Sequence, residues 1–364
     1  MSLFRRHFFF SGMVSYRRNR EMEIHRSRAA GGKETGMEKK MFDGMMGLVT
    51  GDALGVPVQF MGREEIRKRP EGPVIGMEGY GTYHMPAGSW SDDGSMALGT
   101  LSAIADTGYA DPDRIMKNFV RWENDGAFTQ YGHAYDEGGA CMTGIANYQR
   151  TGDWRSCGKK GEYANGNGAL MRILPACIYW SEKVLSGEAS DAEALVSIHE
   201  ITALTHDHLR AKIADGIYYF MVKGILKEDG QLAGLLQKGI SDAKAFYGDR
   251  QEVLKEMVCY HRLFDLESFS KKPEAAIRST GYVVDSLEAA VWCLITTGSL
   301  KDCLLEAVNL GGDTDTIAAI AGGLAGLFYG AGSIPEEWTK AIAKKEMFEE
   351  ICSQYERMCE RRDL

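Results

Sequence analysis

The twenty residues from Gly311 to Gly330, GGDTDTIAAIAGGLAGLFYG, constrain this chain more than any other stretch. A Gly-Gly turn leads into Asp313, Thr314, Asp315 and Thr316, and a charge-free run rich in Ala and Gly follows. Small residues let such a helix pack closely and hold the acidic turn at a fixed depth. Oxygen-only ligands crowded together suit a hard divalent cation, Mg²⁺ or Mn²⁺, rather than zinc. Capping is the competing reading, because Asp and Thr are ordinary N-caps and favour the positive end of the helix dipole. One cap needs one such residue, and an Asp-Thr-Asp-Thr run exceeds that. The charge-free stretch from Thr316 to Pro335 is long enough to span a bilayer, and Gly322 and Gly326 form a G-x-x-x-G pair. Its five glycines make a poor lipid-facing surface and no second span accompanies it. It reads as the central buried helix of a helical globule, with no membrane partner.

A second acidic element lies more than two hundred residues upstream, where Trp90-Ser91-Asp92-Asp93-Gly94-Ser95 leads into a helical stretch beginning at Met96. Its layout is the same: a hydroxyl beside paired carboxylates at a helix start. Brought together, the two turns offer Asp92, Asp93, Asp313 and Asp315 with the hydroxyls of Ser91 and Thr316. That set suits two divalent ions roughly 3.5–4 Å apart. Four converging carboxylates without a cation would repel one another strongly.

The rest of the chain is helical in pattern. Leu209, Ile213, Ile217, Phe220, Met221 and Ile225 fall at three-to-four spacing, as do Leu287, Val291 and Leu294. Alternating β runs, long repeats and a proline-rich linker are missing, which predicts one compact all-α domain over residues 37–364. Residues 1–36 hold eight Lys/Arg against three Asp/Glu and read as a disordered basic extension ahead of a start at Met37. Phe8–Phe10 is too short for a signal-peptide core. Eight cysteines without a C-x-x-C pair read as reduced thiols, so the expected compartment is cytoplasmic. A net charge of −9 argues against general nucleic-acid binding.

Three further segments carry polar chemistry. The stretch from Thr151 to Gly168 is dense in turn signals and reads as a functional loop. Its end, Asn165-Gly166-Asn167-Gly168, offers backbone N–H groups of the kind that cradle a pyrophosphate, and also the letters of an ordinary turn. His199-Glu200 starts like a zinc-protease helix, but Ala203 stands where the second histidine belongs and the motif fails. Tyr135-Asp136-Glu137-Gly138-Gly139 falls on a loop after the helical stretch around Ile115–Trp122.

Taken in order, Gly47–Gln59, Trp90–Ser95, Asn165–Arg172, Leu204–Asp207, Gly281–Glu288 and Gly311–Thr316 resemble the motifs of the ADP-ribosylglycohydrolases. These include the dinitrogenase reductase-activating glycohydrolase and the ADP-ribosyl-acceptor hydrolases, and the resemblance spans about Met41 to Trp338. It implies an orthogonal multi-helix fold and a hydrolase that removes ADP-ribose from a modified protein or small molecule with two Mg²⁺ or Mn²⁺. It further implies Asp136 as general acid or base, and Gln59, Gly138, Gly166, Asn167, Gly168, His206 and Tyr282 along the substrate cleft. A core-aromatic role for Tyr282 stands beside that one. Many family members carry glutamate where this chain has Gln59, which keeps the hydrogen bonding but cannot act as a base near neutral pH. That departure keeps a non-catalytic, crystallin-like ADP-ribose binder in view. The Asp-rich turns alone also suit a two-metal phosphoesterase.

Overall fold

In the computed structural model, which describes residues 38–248 and 250–362, the glycine-rich segments near the two ends of the chain form helices packed against each other. The extension expected over residues 1–36 lies outside the described residues. Among those residues, twelve helices of ten residues or more carry the fold. They are α1 (Glu38–Gly55), α2 (Asp92–Thr107), α3 (Pro112–Asp125), α4 (Gly139–Thr151), α5 (Leu174–Leu185) and α6 (Asp191–Ala203). The second half adds α7 (Leu209–Lys227), α8 (Leu232–Tyr247), α9 (Val283–Thr296), α10 (Leu300–Asn309), α11 (Thr314–Tyr329) and α12 (Lys345–Arg362). Two-residue strands, β1 (Lys159–Lys160) and β2 (His206–Asp207), pair in parallel with Lys159 opposite His206. The all-α architecture expected from the periodicity is the one observed.

α1 and α11 run antiparallel and touch at every fourth residue. A Cβ on Gly47 would lie 2.1 Å from Gly322 O, one on Gly51 2.1 Å from Ala318 O, and one on Gly55 2.3 Å from Asp315 Cα. The spacing of these glycines on one face of each helix makes this approach possible, since the contacts are backbone to backbone. At the acidic end the Thr314 hydroxyl donates to Gly55 O at 2.8 Å and ties the two helices. Residues Thr314–Leu327 of α11 are all buried, so the helix has no lipid-facing or solvent-facing side. No helix among the described residues is long and apolar enough to cross a membrane.

Local sequence explains where the site-bearing helices begin. Ser91 caps α2, its Oγ accepting from Asp93 N at 3.3 Å, and Gly108 closes that helix in the left-handed region at φ 71°. Asp111 caps α3 with Pro112 in its first turn, and Gly126 ends it at φ 62°. α4 starts at a Gly-Gly pair with no side-chain cap, which leaves its first backbone N–H groups open toward the cleft described below. α7 is capped by His208, whose Nδ1 accepts from Arg210 N at 3.2 Å.

Candidate metal centre and substrate cleft

The starts of α2 and α11 meet. Carboxylate oxygens of Asp52, Asp93 and Asp315 lie within 4.8 Å of one another, as do those of Asp92, Asp93 and Asp136. The Thr316 hydroxyl donates to Asp93 Oδ2 at 3.3 Å across 223 residues of sequence, and Ser91 Oγ donates to the same oxygen at 3.0 Å. Asp313 is reached by Asn167 Nδ2 at 2.6 Å and by Gln59 Nε2 at 3.4 Å. The same Gln59 nitrogen donates to Asp136 Oδ2 at 2.9 Å, and the Tyr83 hydroxyl donates to Asp136 Oδ1. Asp136 itself sits at φ 63°, a strained setting for a non-glycine residue and one often found at functional sites.

Asp52 was not among the residues expected from the sequence. It belongs to α1, where Gly51 and Gly55 bring the helix against α11. Its carboxylate accepts Ser91 N at 2.9 Å and Gly94 N at 2.8 Å, so it anchors the positive end of α2 while facing Asp93 and Asp315. Sequence carries one signal for it: an acidic residue inside Leu48–Leu54, an otherwise uncharged helical run.

None of these six carboxylates forms an ion pair with Lys, Arg or His among the described residues. Their partners are hydroxyls, amides and backbone N–H groups. Asp93 Oδ1 and Asp315 Oδ2 are buried with no hydrogen-bond partner at all. Burial, followed by repulsion from neighbouring carboxylates, pushes Asp92, Asp93 and Asp315 well above the usual carboxylate range. Burial likewise raises Asp52 to about 7, against the pull of its backbone hydrogen bonds. Asp136 and Asp313 are raised for the same first reason, each partly offset by the side chains that donate to it. Orphaned acidic oxygens that pull one another's carboxyls upward fit a divalent cation of the Mg²⁺ or Mn²⁺ type, which would neutralise them.

Above this floor lies a cleft of about 430 Å³. Asp92, Asp136, Asp313 and Thr316 open onto it with Gln59 and Gly138, whereas Ser91, Asp93 and Asp315 lie beneath. Gly166, Asn167, Gly168 and His206 also line the cleft, with Lys159 and the exposed Tyr163. His206 is buried, and that burial holds its imidazole neutral by lowering it to about 3. Arg172 Nη2 donates to Thr205 Oγ1 at 2.8 Å, and Thr205 Oγ1 lies 2.8 Å from His206 Nδ1. Thr205 Oγ1 thus links the Arg172 guanidinium to His206 Nδ1, while His206 Nε2 lies beside Gly166.

Two expectations change. In the Asn165–Gly168 loop the Asn167 N–H is taken by Gly281 O at 3.0 Å, and Asn165 O accepts from Val283 N at 2.9 Å. Asn167 acts instead through its side chain on Asp313 and on Ser286 Oγ, 2.9 Å away. Tyr282 does not line the cleft; its neighbour Gly281 does. The Tyr282 ring lies under the Arg210 guanidinium at 5.8 Å and its hydroxyl accepts from Arg210 at 3.1 Å.

The helical scaffold that holds these carboxylates at the floor of a cleft is that of a glycohydrolase. It belongs to the ADP-ribosylglycohydrolase family, which it matches over residues 33–364. The ADP-ribosylarginine hydrolase Tri1 of Pseudomonas putida (strain GB-1) is 29% identical over 317 residues, covering 85% of this chain and 76% of that protein. The ADP-ribosyl-[dinitrogen reductase] glycohydrolase of Rhodospirillum rubrum is 30% identical over 300 residues, covering 82% and 89%. A solved ADP-ribosylglycohydrolase-related protein complex superposes with a TM-score of 0.66 at 28% identity, covering 88% of this chain and 98% of that one.

Proposed function

We propose that this enzyme hydrolyses the N-glycosidic bond between the distal ribose of ADP-ribose and an arginine side chain of a modified protein, with divalent cations at the acidic floor. The observation that carries this reading is the convergence of Asp52, Asp92, Asp93, Asp136, Asp313 and Asp315 beneath a cleft sized for a nucleotide sugar. The arginine acceptor is supported by the Tri1 relatives of Pseudomonas putida and Serratia proteamaculans, whose names specify it. Asp92, Asp93, Asp313 and Asp315, with the Ser91 and Thr316 hydroxyls and with Asp52 from α1, would hold two Mg²⁺ or Mn²⁺. Bound there, such ions would grip the ribose diol and make a bound water more acidic.

The chain's own groups do the rest. Asp136 accepts hydrogen bonds on both oxygens, which is the arrangement of an ionised carboxylate ready to act as base. Water forms the new bond to the anomeric carbon as the carbon–nitrogen bond breaks, its electron pair leaving on the guanidine nitrogen. The linked guanidinium is already cationic, so it departs neutral and takes up the proton that Asp136 removed from the water. The open N–H groups at the start of α4 suit the pyrophosphate, with His206 lining the same cleft. Asn167 and Gln59 hold Asp313 and Asp136 in place.

The test is free ADP-ribose released from an ADP-ribosylated arginine peptide with Mg²⁺, with Mn²⁺ and with EDTA. Release with metal and none with EDTA is expected. Asp136→Asn should keep ADP-ribose binding and lose roughly 10²–10⁴-fold in turnover. Phosphate release without free ADP-ribose would point to a phosphoesterase. Tight ADP-ribose binding with no release from arginine, serine or acetyl adducts would leave only a binder.

A further inference from the structure

Two aromatic side chains are exposed in the cleft, Tyr163 on the loop before Asn165 and Phe60. Phe60 is 67% exposed and lines the cleft beside the acidic floor. Its backbone is left-handed at φ 67°, an unfavourable setting for an aromatic residue. That conformation is held from several sides. Phe60 N donates to Gly312 O at 2.7 Å, and Gly312 N returns a bond to Met61 O at 2.8 Å. The carbonyl of Gln59 accepts from Thr82 Oγ1 at 2.8 Å, and the Gln59 amide holds Asp136 and Asp313. The Phe60 backbone is therefore fixed to the turn that carries Asp313, next in sequence to the residue that orients Asp136. Exposed aromatics on loose loops are unremarkable, but one held in strained backbone at a reaction centre points to a ligand.

Elsewhere in its lining the cleft has groups suited to phosphates, His206 and Lys159. Phe60 stands instead with the acidic residues, where the bond is cut. An aromatic face set among carboxylates favours a flat cation, and a guanidinium is one. From this placement we infer that Phe60 is the acceptor-reading residue, stacking its ring on the guanidinium of the modified arginine at the leaving-group side of the scissile bond. The inference rests on the arginine reading proposed above and goes beyond it by naming the side chain that selects the acceptor.

The experiment compares wild type, Phe60→Leu and Phe60→Tyr, with melting curves to establish that each is folded. Two quantities are read: kcat/KM on an ADP-ribosylated arginine peptide and the affinity for free ADP-ribose by calorimetry. Leucine keeps apolar bulk but has no π face, so Phe60→Leu should lose about 3- to 30-fold in kcat/KM, mostly through KM. Its ADP-ribose affinity should stay that of wild type, and Phe60→Tyr should retain both values. Phe60→Leu matching wild type on the peptide would overturn the assignment. So would an equal loss in ADP-ribose affinity, which would make Phe60 a contact of the nucleotide sugar. Wild type releasing nothing from the arginine peptide would instead fail the arginine reading itself, and this assignment with it.

Discussion

Asp315→Asn should make the metal-free enzyme more stable, although Asp315 is a fully buried polar residue. Its Oδ1 accepts Thr316 N at 2.9 Å, a bond asparagine can keep, while its Oδ2 has no partner. Carboxylate oxygens of Asp52 and Asp93 lie within 4.8 Å. At an effective dielectric constant of about 20, two ionised groups at that separation repel by about 3.5 kcal/mol. Protonation relieves part of this, because burial holds Asp93 and Asp315 well above the usual carboxylate range and Asp52 at about 7. Removing one charge relieves at most about 3 kcal/mol at high pH, and the relief shrinks as falling pH protonates the raised carboxyls. The sign follows from linkage: a carboxyl raised on folding leaves the native state holding more protons than the unfolded one. Metal-free stability is then greatest at low pH and is lost as pH rises through the raised values. The assay is thermal melting in EDTA at pH 5 and pH 8, repeated with Mn²⁺. At about 2 °C per kcal/mol for a domain of this size, the variant should melt up to about 6 °C above wild type at pH 8, with a smaller difference at pH 5. Mn²⁺ should raise the melting point of wild type and leave the variant's nearly unchanged. A variant that melts below wild type in EDTA at pH 8, or that gains as much from Mn²⁺, would refute the repulsion argument.

Gln59→Glu exchanges the amide that donates to Asp136 and Asp313 for a like charge at a 2.9 Å position, so it should lower metal-free melting at pH 8 and steepen its dependence on Mn²⁺. Unchanged melting in both conditions would show that Gln59 does not hold the floor together. Gly51→Ala would place a methyl 2.1 Å from Ala318 O, with only backbone to move, and should cost about 3 kcal/mol or more; a soluble variant with wild-type melting would contradict the packing described.

The acidic floor was readable because each half announces itself locally. Ser91–Asp93 and Asp313–Thr316 are short turns whose composition exceeds what capping needs, and each begins a helix. What stayed hidden depends on contacts across the fold. Asp52 joins the floor only because the glycines of α1 pack against α11, and sequence spacing alone does not say which helices touch. Tyr83 comes from irregular chain, where no periodicity marks a side chain as inward. Tyr282 was expected in the cleft from the family resemblance, with a core-aromatic role beside it, and the Arg210 guanidinium engages its ring and hydroxyl. Asn167 lies at the site yet works by its amide, since pairing with Gly281 uses its backbone donor.

The glycine seam between α1 and α11 sets the separation of Asp52 from Asp315 by peptide against peptide, with no rotamer in between to absorb an error. That separation acts as a fixed gauge, insensitive to how the outer helices repack. The walls of the cleft rest on other segments, Phe60 on the chain after α1 and Tyr163 on the loop before Asn165. Wall residues can therefore be exchanged to suit a different acceptor while the spacing of the acidic floor stays as the seam sets it.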